Sequence, residues 1–286
     1  LFLRWMVRAE RSPEGNYLVF PPEPAGEVHS LIARLHQQAE DRSIVVGFDF
    51  PIGLPTAYAR RAGIHRFRKA FAGFRREFFE VTDSPSIHQP FYPATSRKKD
   101  AYGKRLAEAL GVASLSDLLR RCDRKTAERP AAACLFFTVG AQQVGRAAVV
   151  GWRDTLRPHL SRITLWPFDG EFETLLRRKK VVVVEIYPRQ AAIDLGLPIG
   201  EIRKGDRAQR RRLADCLLTM ELDGVRFSDA ACSWIEWGFL SDDDFDAMLG
   251  LLGMLETITS GQPITPPDDP EVTELEGWIF GQPVDS

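Results

Sequence analysis

The sequence is poor in the residues that disulfide, zinc and membrane chemistry require. Four cysteines occur among 286 residues, Cys122, Cys134, Cys216 and Cys232, and none forms a C-x-x-C pair. All lie in or near apolar segments, so they read as core thiols in a reducing cytosol. The five histidines (His29, His36, His65, His88 and His159) have neither H-x-x-x-H nor H-E-x-x-H spacing, which argues further against zinc. No apolar run approaches the roughly 18 residues that suggest a membrane span, and no signal peptide is visible. The expectation is a cytoplasmic protein with no membrane partner. Net charge is -1, so there is no global attraction for nucleic acid, and local charge must carry any such argument. A P-loop and a G-x-G-x-x-G are both missing, which leaves nucleotide-cofactor chemistry without support.

What is present favours an α/β domain. Hydrophobic residues make up 44% of the chain, enough for a sizeable core. Phe2–Glu10 and Tyr17–Phe20 read as a hairpin around a Ser-Pro-Glu-Gly-Asn turn. Glu27–Glu40 has helical periodicity, and Ser43–Phe50 has the pattern of a strand buried on both faces. Tyr58–Phe79 reads as a basic, aromatic helix and Glu80–Pro93 as a long loop. Ala101–Leu110, Ser116–Cys122 and Gln142–Leu156 read as helices, Ser161–Trp166 as a strand and Glu171–Arg178 as a short helix. Lys180–Tyr187 is the clearest strand, with four consecutive valines before Glu185. Asp206–Met220, Ser228–Trp237 and Asp242–Thr257 are three more helices, and Leu275–Phe280 returns as a final strand. Strands alternating with helices argue a layered sheet in one domain, with residues 56–160 as a helical and irregular insertion.

Three acidic positions stand out. Asp49 ends an apolar run and precedes Pro51-Ile52-Gly53-Leu54-Pro55. Glu185 lies near the end of the valine strand, and Asp243 and Asp246 begin a helix at i, i+3 spacing. A carboxylate in a buried run is costly unless it is paired or bound to a cation. Ligands gather beyond the carboxyl ends of strands in open α/β sheets. Converging carboxylates suit Mg²⁺ or Mn²⁺, and two such ions can drive phosphodiester hydrolysis. Structural roles compete with this at every position. Asp242, Asp243 and Asp244 suit a helix N-terminus as caps, Asp49 suits a loop cap, and Glu185 suits an ion pair with Arg189 or Lys204.

Local charge is concentrated. Arg60, Arg61, Arg66, Arg68, Lys69, Arg75 and Arg76 form an acid-free stretch interleaved with Phe67, Phe71 and Phe74. Such a pattern suits phosphate contact with base stacking. It equally suits an amphipathic helix with a core-facing Phe stripe and a solvated Arg face. Ile202–Arg212 carries six more bases, from Arg203 to Arg212.

In order along the chain, several segments carry a family resemblance. Gly47-Phe48-Asp49-Phe50-Pro51-Ile52-Gly53-Leu54-Pro55 resembles the G-x-D-x-P-I-G-L-P signature of the domain-of-unknown-function family 429, described as predicted RNase H-like nucleases. Glu185-Ile186-Tyr187-Pro188 resembles its E-x-Y-P strand end, Lys204 with Arg211 and Arg212 its Lys…Arg stretch, Asp243–Ala247 its D-x-x-D-A, and Glu276-Gly277-Trp278-Ile279 its closing E-G-W-I. The resemblance implies an RNase H-like five-stranded mixed sheet flanked by helices and metal-dependent hydrolysis of nucleic acid, DNA or RNA. It departs from such enzymes at the start. They carry an essential Asp on the first strand, whereas Leu3–Glu10 matches the second. Either that first strand lies upstream of Leu1 or the ligand is missing. The expected function is therefore a Mg²⁺- or Mn²⁺-dependent nuclease with Asp49, Glu185, Asp243 and Asp246 on the metal and Lys204 on phosphate or a carboxylate. The alternative is a catalytically inactive binding or scaffold protein on the same fold.

Overall fold

A computed structural model describes residues 4–39, 42–93, 99–139, 143–178, 180–198 and 204–284. In chain order the elements are β1 (Trp5–Met6), β2 (Ala9–Arg11), β3 (Tyr17–Val19), β4 (Glu23–Pro24), α1 (Val28–Ala39), β5 (Ile44–Phe48), α2 (Thr56–Arg61), α3 (Phe67–Gly73) and α4 (Lys99–Leu110). There follow α5 (Val144–Val150), β6 (Ile163–Leu165), α6 (Phe172–Leu176), β7 (Val181–Glu185), α7 (Pro188–Asp194), α8 (Arg207–Arg211), α9 (Ala214–Leu218), β8 (Val225–Phe227), α10 (Asp229–Trp237) and α11 (Asp242–Thr259). The mixed α/β class expected from the sequence is what the chain adopts. Its described strands form a β1–β4 pair, a β2–β3–β8 sheet and a β5–β7–β6 sheet. No helix among the described residues is long and apolar enough to cross a membrane. The chain divides into two compact units, residues 1–27 with 186–264, and residues 28–185 with 265–286.

The larger unit is built on the parallel trio. β7 is central, paired with β5 from Ile44↔Val181 to Phe48↔Glu185 and with β6 from Ile163↔Val181 to Leu165↔Val183. Its four valines are fully buried, which the β-branched run anticipates for a strand covered on both faces. β5 corrects the reading made from sequence. All five of its residues are half-buried, because it is an outer strand of the trio.

An aromatic core lies beside this sheet. Phe67 and Phe71 stack with centroids 5.3 Å apart, and Trp152 meets both edge-on at 5.3 and 5.8 Å. Phe74 and Phe78 stack at 3.9 Å. Each fully buried ring contributes roughly 1.5–3 kcal/mol through lost apolar exposure, so this cluster anchors the irregular middle of the chain. The Trp152 indole N–H also donates to the Pro51 carbonyl at 2.7 Å, which ties the core to the loop after β5.

Several boundaries differ from expectation for local reasons. Tyr58–Phe79 is not one helix, because Gly63 turns the chain at φ +67° and Phe74 leaves helical geometry at ψ 128°. Ser116–Cys122 is two 3-10 turns, Leu115–Leu118 and Arg121–Asp123, separated by extended backbone at Leu119 and Arg120. Leu275–Phe280 forms no strand. A π-turn over Val272–Glu276 ends at Gly277 with φ +72°, and the chain then makes one parallel bridge, Ile279↔Glu185.

The smaller unit contains the expected hairpin, with β2 and β3 antiparallel from Ala9↔Val19 to Arg11↔Tyr17. Phe2 and Leu3 lie outside the described residues. β8, which the sequence reading missed, runs parallel to β3. Phe239, Phe245, Met248, Leu249 and Leu252 are completely buried and join α10 to α11 in this unit's core. The Asp206–Met220 region is two helices, α8 and α9. Of the four cysteines, Cys122 and Cys134 are core thiols as expected, while Cys216 is exposed and Cys232 half-buried.

Candidate functional site

The predicted residues fall into two groups. Asp49 and Glu185 belong to the larger unit, and Lys204, Asp243 and Asp246 to the smaller one.

In the larger unit, parallel pairing puts the ends of β5 and β7 side by side. Glu185 is opposite Phe48, and Asp49 follows one residue beyond. The two acids have different surroundings. Asp49 is exposed, whereas Glu185 is buried. Both Glu185 oxygens accept from Arg120, Oε1 from Nη2 and Oε2 from Nη1, each at 2.6 Å. Oε2 also accepts the Ile52 N–H at 2.7 Å. Arg120 is fully buried and donates from Nε and Nη2 to Asp123 at 2.9 Å. Its Nη1 reaches the Glu276 carbonyl at 3.1 Å. The Glu276 carboxylate accepts the Thr56 N–H at 3.1 Å and the Arg121 N–H at 2.7 Å.

Two glycines allow this closure. Gly53 has φ +140°, and a Cβ there would lie 2.0 Å from the Glu276 carbonyl oxygen. Gly277 has φ +72°, and a Cβ there would lie 2.3 Å from the Ile52 carbonyl oxygen. The P-I-G-L-P and E-G-W-I segments thus pack backbone against backbone, as only glycine permits. The Leu54 N–H, bonded to the Leu275 carbonyl at 2.8 Å, fastens the same contact.

Burial raises the pKa of Glu185, and Arg120 pulls it back. Burial also opposes the charge on Arg120, but Asp123 and Glu185 more than offset this and hold it protonated. Cys122, Asp123 and Glu185 each bring one ligand atom within 4.8 Å of the others. This trio does not suit Mg²⁺ or Mn²⁺. Arg120 already occupies both Glu185 oxygens, and burial holds the Cys122 thiol well above its ordinary value, so it stays protonated. Glu185 is an ion-pair partner, as one reading of the sequence allowed, but its cation is Arg120.

Arg120 was missed from sequence. It is 65 residues from Glu185 and lies outside any helix or strand. The available signal was indirect, since a carboxylate closing a buried valine strand requires a cation.

In the smaller unit, α11 begins with a capping box. The Ser241 hydroxyl accepts the Asp244 N–H at 3.3 Å. Asp244 is fully buried and accepts from the Ser241 N–H (2.7 Å), Ser241 hydroxyl (2.8 Å), Leu240 N–H (2.8 Å) and Trp234 indole (2.9 Å). Capping therefore falls to Asp244, and Asp243 stays exposed. Asp246, one turn on, is half-buried and takes a short hydrogen bond from Lys204 Nζ. Its pKa is raised chiefly by burial, with Lys204 opposing the shift and Asp242 and Asp243 adding to it. Asp243, though exposed overall, is raised by partial desolvation of its carboxylate and by Asp242 and Asp244. The buried Arg210 guanidinium donates to the Lys204 carbonyl and, at 3.1 Å, to the Gly238 carbonyl, so Lys204 is anchored. The oxygens of Asp243 and Asp246, like those of Asp49, are hard donors that suit Mg²⁺ or Mn²⁺.

The basic segments resolve similarly. Phe67, Phe71 and Phe74 are buried and belong to the core, which leaves the Arg face solvated. Arg60 pairs with Glu271, Arg66 with Glu274, Arg68 with Asp169 and Arg76 with Glu80. In the second segment Ile202 and Arg203 lie outside the described residues, and Arg207 stacks on Trp237 at 3.3 Å.

Comparison of the chain with family models, with curated proteins and with solved structures gives no match.

Proposed function

We propose that this chain is a divalent-metal-dependent nuclease that hydrolyses phosphodiesters of DNA or RNA with Mg²⁺ or Mn²⁺. The observation that carries the reading is Asp49. It remains exposed immediately beyond the carboxyl end of a parallel strand, where open α/β sheets bind their ligands. Within the smaller unit, half-buried Asp246 beside Lys204 and exposed Asp243 are hard oxygen donors in their own right. Glu185, held by Arg120, fixes the Pro51–Gly53 turn that follows Asp49 by accepting the Ile52 N–H. The bound cation would activate water and stabilise the leaving oxygen. The finer fold belongs to the same proposal. The parallel trio of the larger unit supports it, as the parallel part of an RNase H-like mixed sheet.

A second reading, an inactive binding or scaffold protein, is favoured by one observation. Both Glu185 oxygens are engaged by Arg120, and Oε2 also by the Ile52 N–H, so a metal would have to compete with a buried guanidinium. Cleavage of labelled single-stranded and duplex DNA and RNA in Mn²⁺ separates the two. The nuclease reading expects metal-dependent cleavage, lost by at least about a hundredfold in Asp49→Asn with an unchanged melting temperature. No cleavage of any substrate by the wild type, or full activity in Asp49→Asn, rejects it.

A further inference from the structure

Away from the carboxylates, the larger unit has an open cleft of about 530 Å³ lined by Arg66, Arg68, Lys69, Phe168, Thr273 and Glu274. That volume falls within the range of small-ligand sites. Its three cations are held differently. Arg68 is fixed, with Nε on both Asp169 oxygens (3.1 and 3.2 Å) and Nη2 on the Leu160 carbonyl (2.9 Å). Arg66 makes only a loose 3.3 Å pair with Glu274, and the Arg66 side chain is largely exposed, so a stronger anion displaces it easily. Lys69 is exposed and makes no ion pair among the described residues. Beside them, the half-buried Phe168 ring rests on Phe67, with centroids 4.9 Å apart.

Phe168 also packs against the turn that holds the Asp49 loop. A Cβ on Gly277 would come within 2.9 Å of the ring, on the same residue that backs onto Ile52. The cleft therefore adjoins the loop after β5 through two residues of one unit. Exposed cations beside a supported aromatic ring match the repeat of a nucleotide chain, phosphate then base. A base-paired duplex presents no free base face to such a ring, whereas an unstacked single strand does.

We propose that this cleft is a nucleotide subsite for single-stranded nucleic acid, with Arg66 and Lys69 on a phosphate and Phe168 under a base. It rests on the nucleic-acid reading above, but its test is separable. Fluorescence anisotropy in EDTA reads binding of a short labelled oligo(dT) without metal or cleavage. Arg66→Ala combined with Lys69→Ala should weaken binding about tenfold or more and flatten the salt dependence, since two phosphate contacts are lost. Phe168→Leu, which keeps an apolar group against Phe67, should weaken binding about tenfold with an unchanged salt slope. Wild-type affinity in the double variant, or equal affinity for a blunt duplex, overturns the subsite. If Phe168→Leu fails to fold, the double variant decides alone, because both its positions are exposed. Binding without cleavage would reject the nuclease and keep the subsite. Asp49-dependent cleavage with unaltered binding in the double variant would do the reverse.

Discussion

Two groups of acids lie on this chain, and the cation each has recruited sets how firmly its carboxylates are held. In the larger unit, Asp123 and Glu185 are buried around Arg120, whose planar fork donates to both. In the smaller unit, Asp246 is half-buried beside Lys204 and Asp243 is exposed. A buried guanidinium satisfies two carboxylates at once and locks them. An ammonium on a flexible stem holds one and leaves the other oxygen for a ligand. Burial here accompanies structural pairing. The most deeply placed acid at a strand end, Glu185, organises a loop, and the exposed Asp49 beyond the neighbouring strand is the better candidate ligand.

The sharpest way to break this contrast is Arg120→Met. It leaves Glu185 and Asp123 buried without their cation and strands the Ile52 turn. We expect a loss of about 3–5 kcal/mol in chemical denaturation. A loss under about 1 kcal/mol would mean that the buried acids take up protons at little cost and that the lock is dispensable. A smaller effect tests the neighbours on α11. Asp244→Ala removes the acceptor for four donors and should cost about 2 kcal/mol, whereas Asp243→Ala should be close to neutral in the same melts. Equal losses would contradict the division between capping and available acid.

The sequence made the sheet's centre legible because β7 opens with four consecutive valines, the pattern of a central parallel strand. It did not make the closing turn legible, since Gly277 falls inside the expected Leu275–Phe280 strand. Gly53 and Gly277 stand in short motifs whose conformations only glycine adopts freely. The acids were found, but their roles were not. Arg120 sits between two 3-10 turns, so no periodicity connects it to Glu185, and the nearer Arg189 and Lys204 drew the pairing in sequence. Charge density in Arg60–Arg76 was visible, but its rings were ambiguous until Phe67, Phe71 and Phe74 proved to be core. Phe168, which lies a hundred residues on, had no local signal that would place it beside Arg66 and Lys69. β8 was missed because three residues between helices barely register as alternation.

The smallest expected effect is also the one whose sign is most informative. Asp246 has its pKa raised above the ordinary 3.8 by burial, despite Lys204. The folded chain then binds this proton more tightly than the unfolded chain does. Stability contributed by the protonated form is present below 3.8 and falls as pH rises through the raised folded value. At neutral pH the cost of holding Asp246 ionised is fully present. Asp246→Asn removes that cost, and Lys204, itself partly exposed, can be hydrated by solvent. The variant should melt at or slightly above the wild-type temperature near neutral pH, and the difference should vanish in acid. If it instead loses stability selectively near neutral pH, the ion pair outweighs desolvation and Asp246 belongs with the structural acids. Slight stabilisation together with lost metal-dependent cleavage would mark Asp246 as an acid kept at a cost to the fold, which is the usual sign of a residue retained for chemistry.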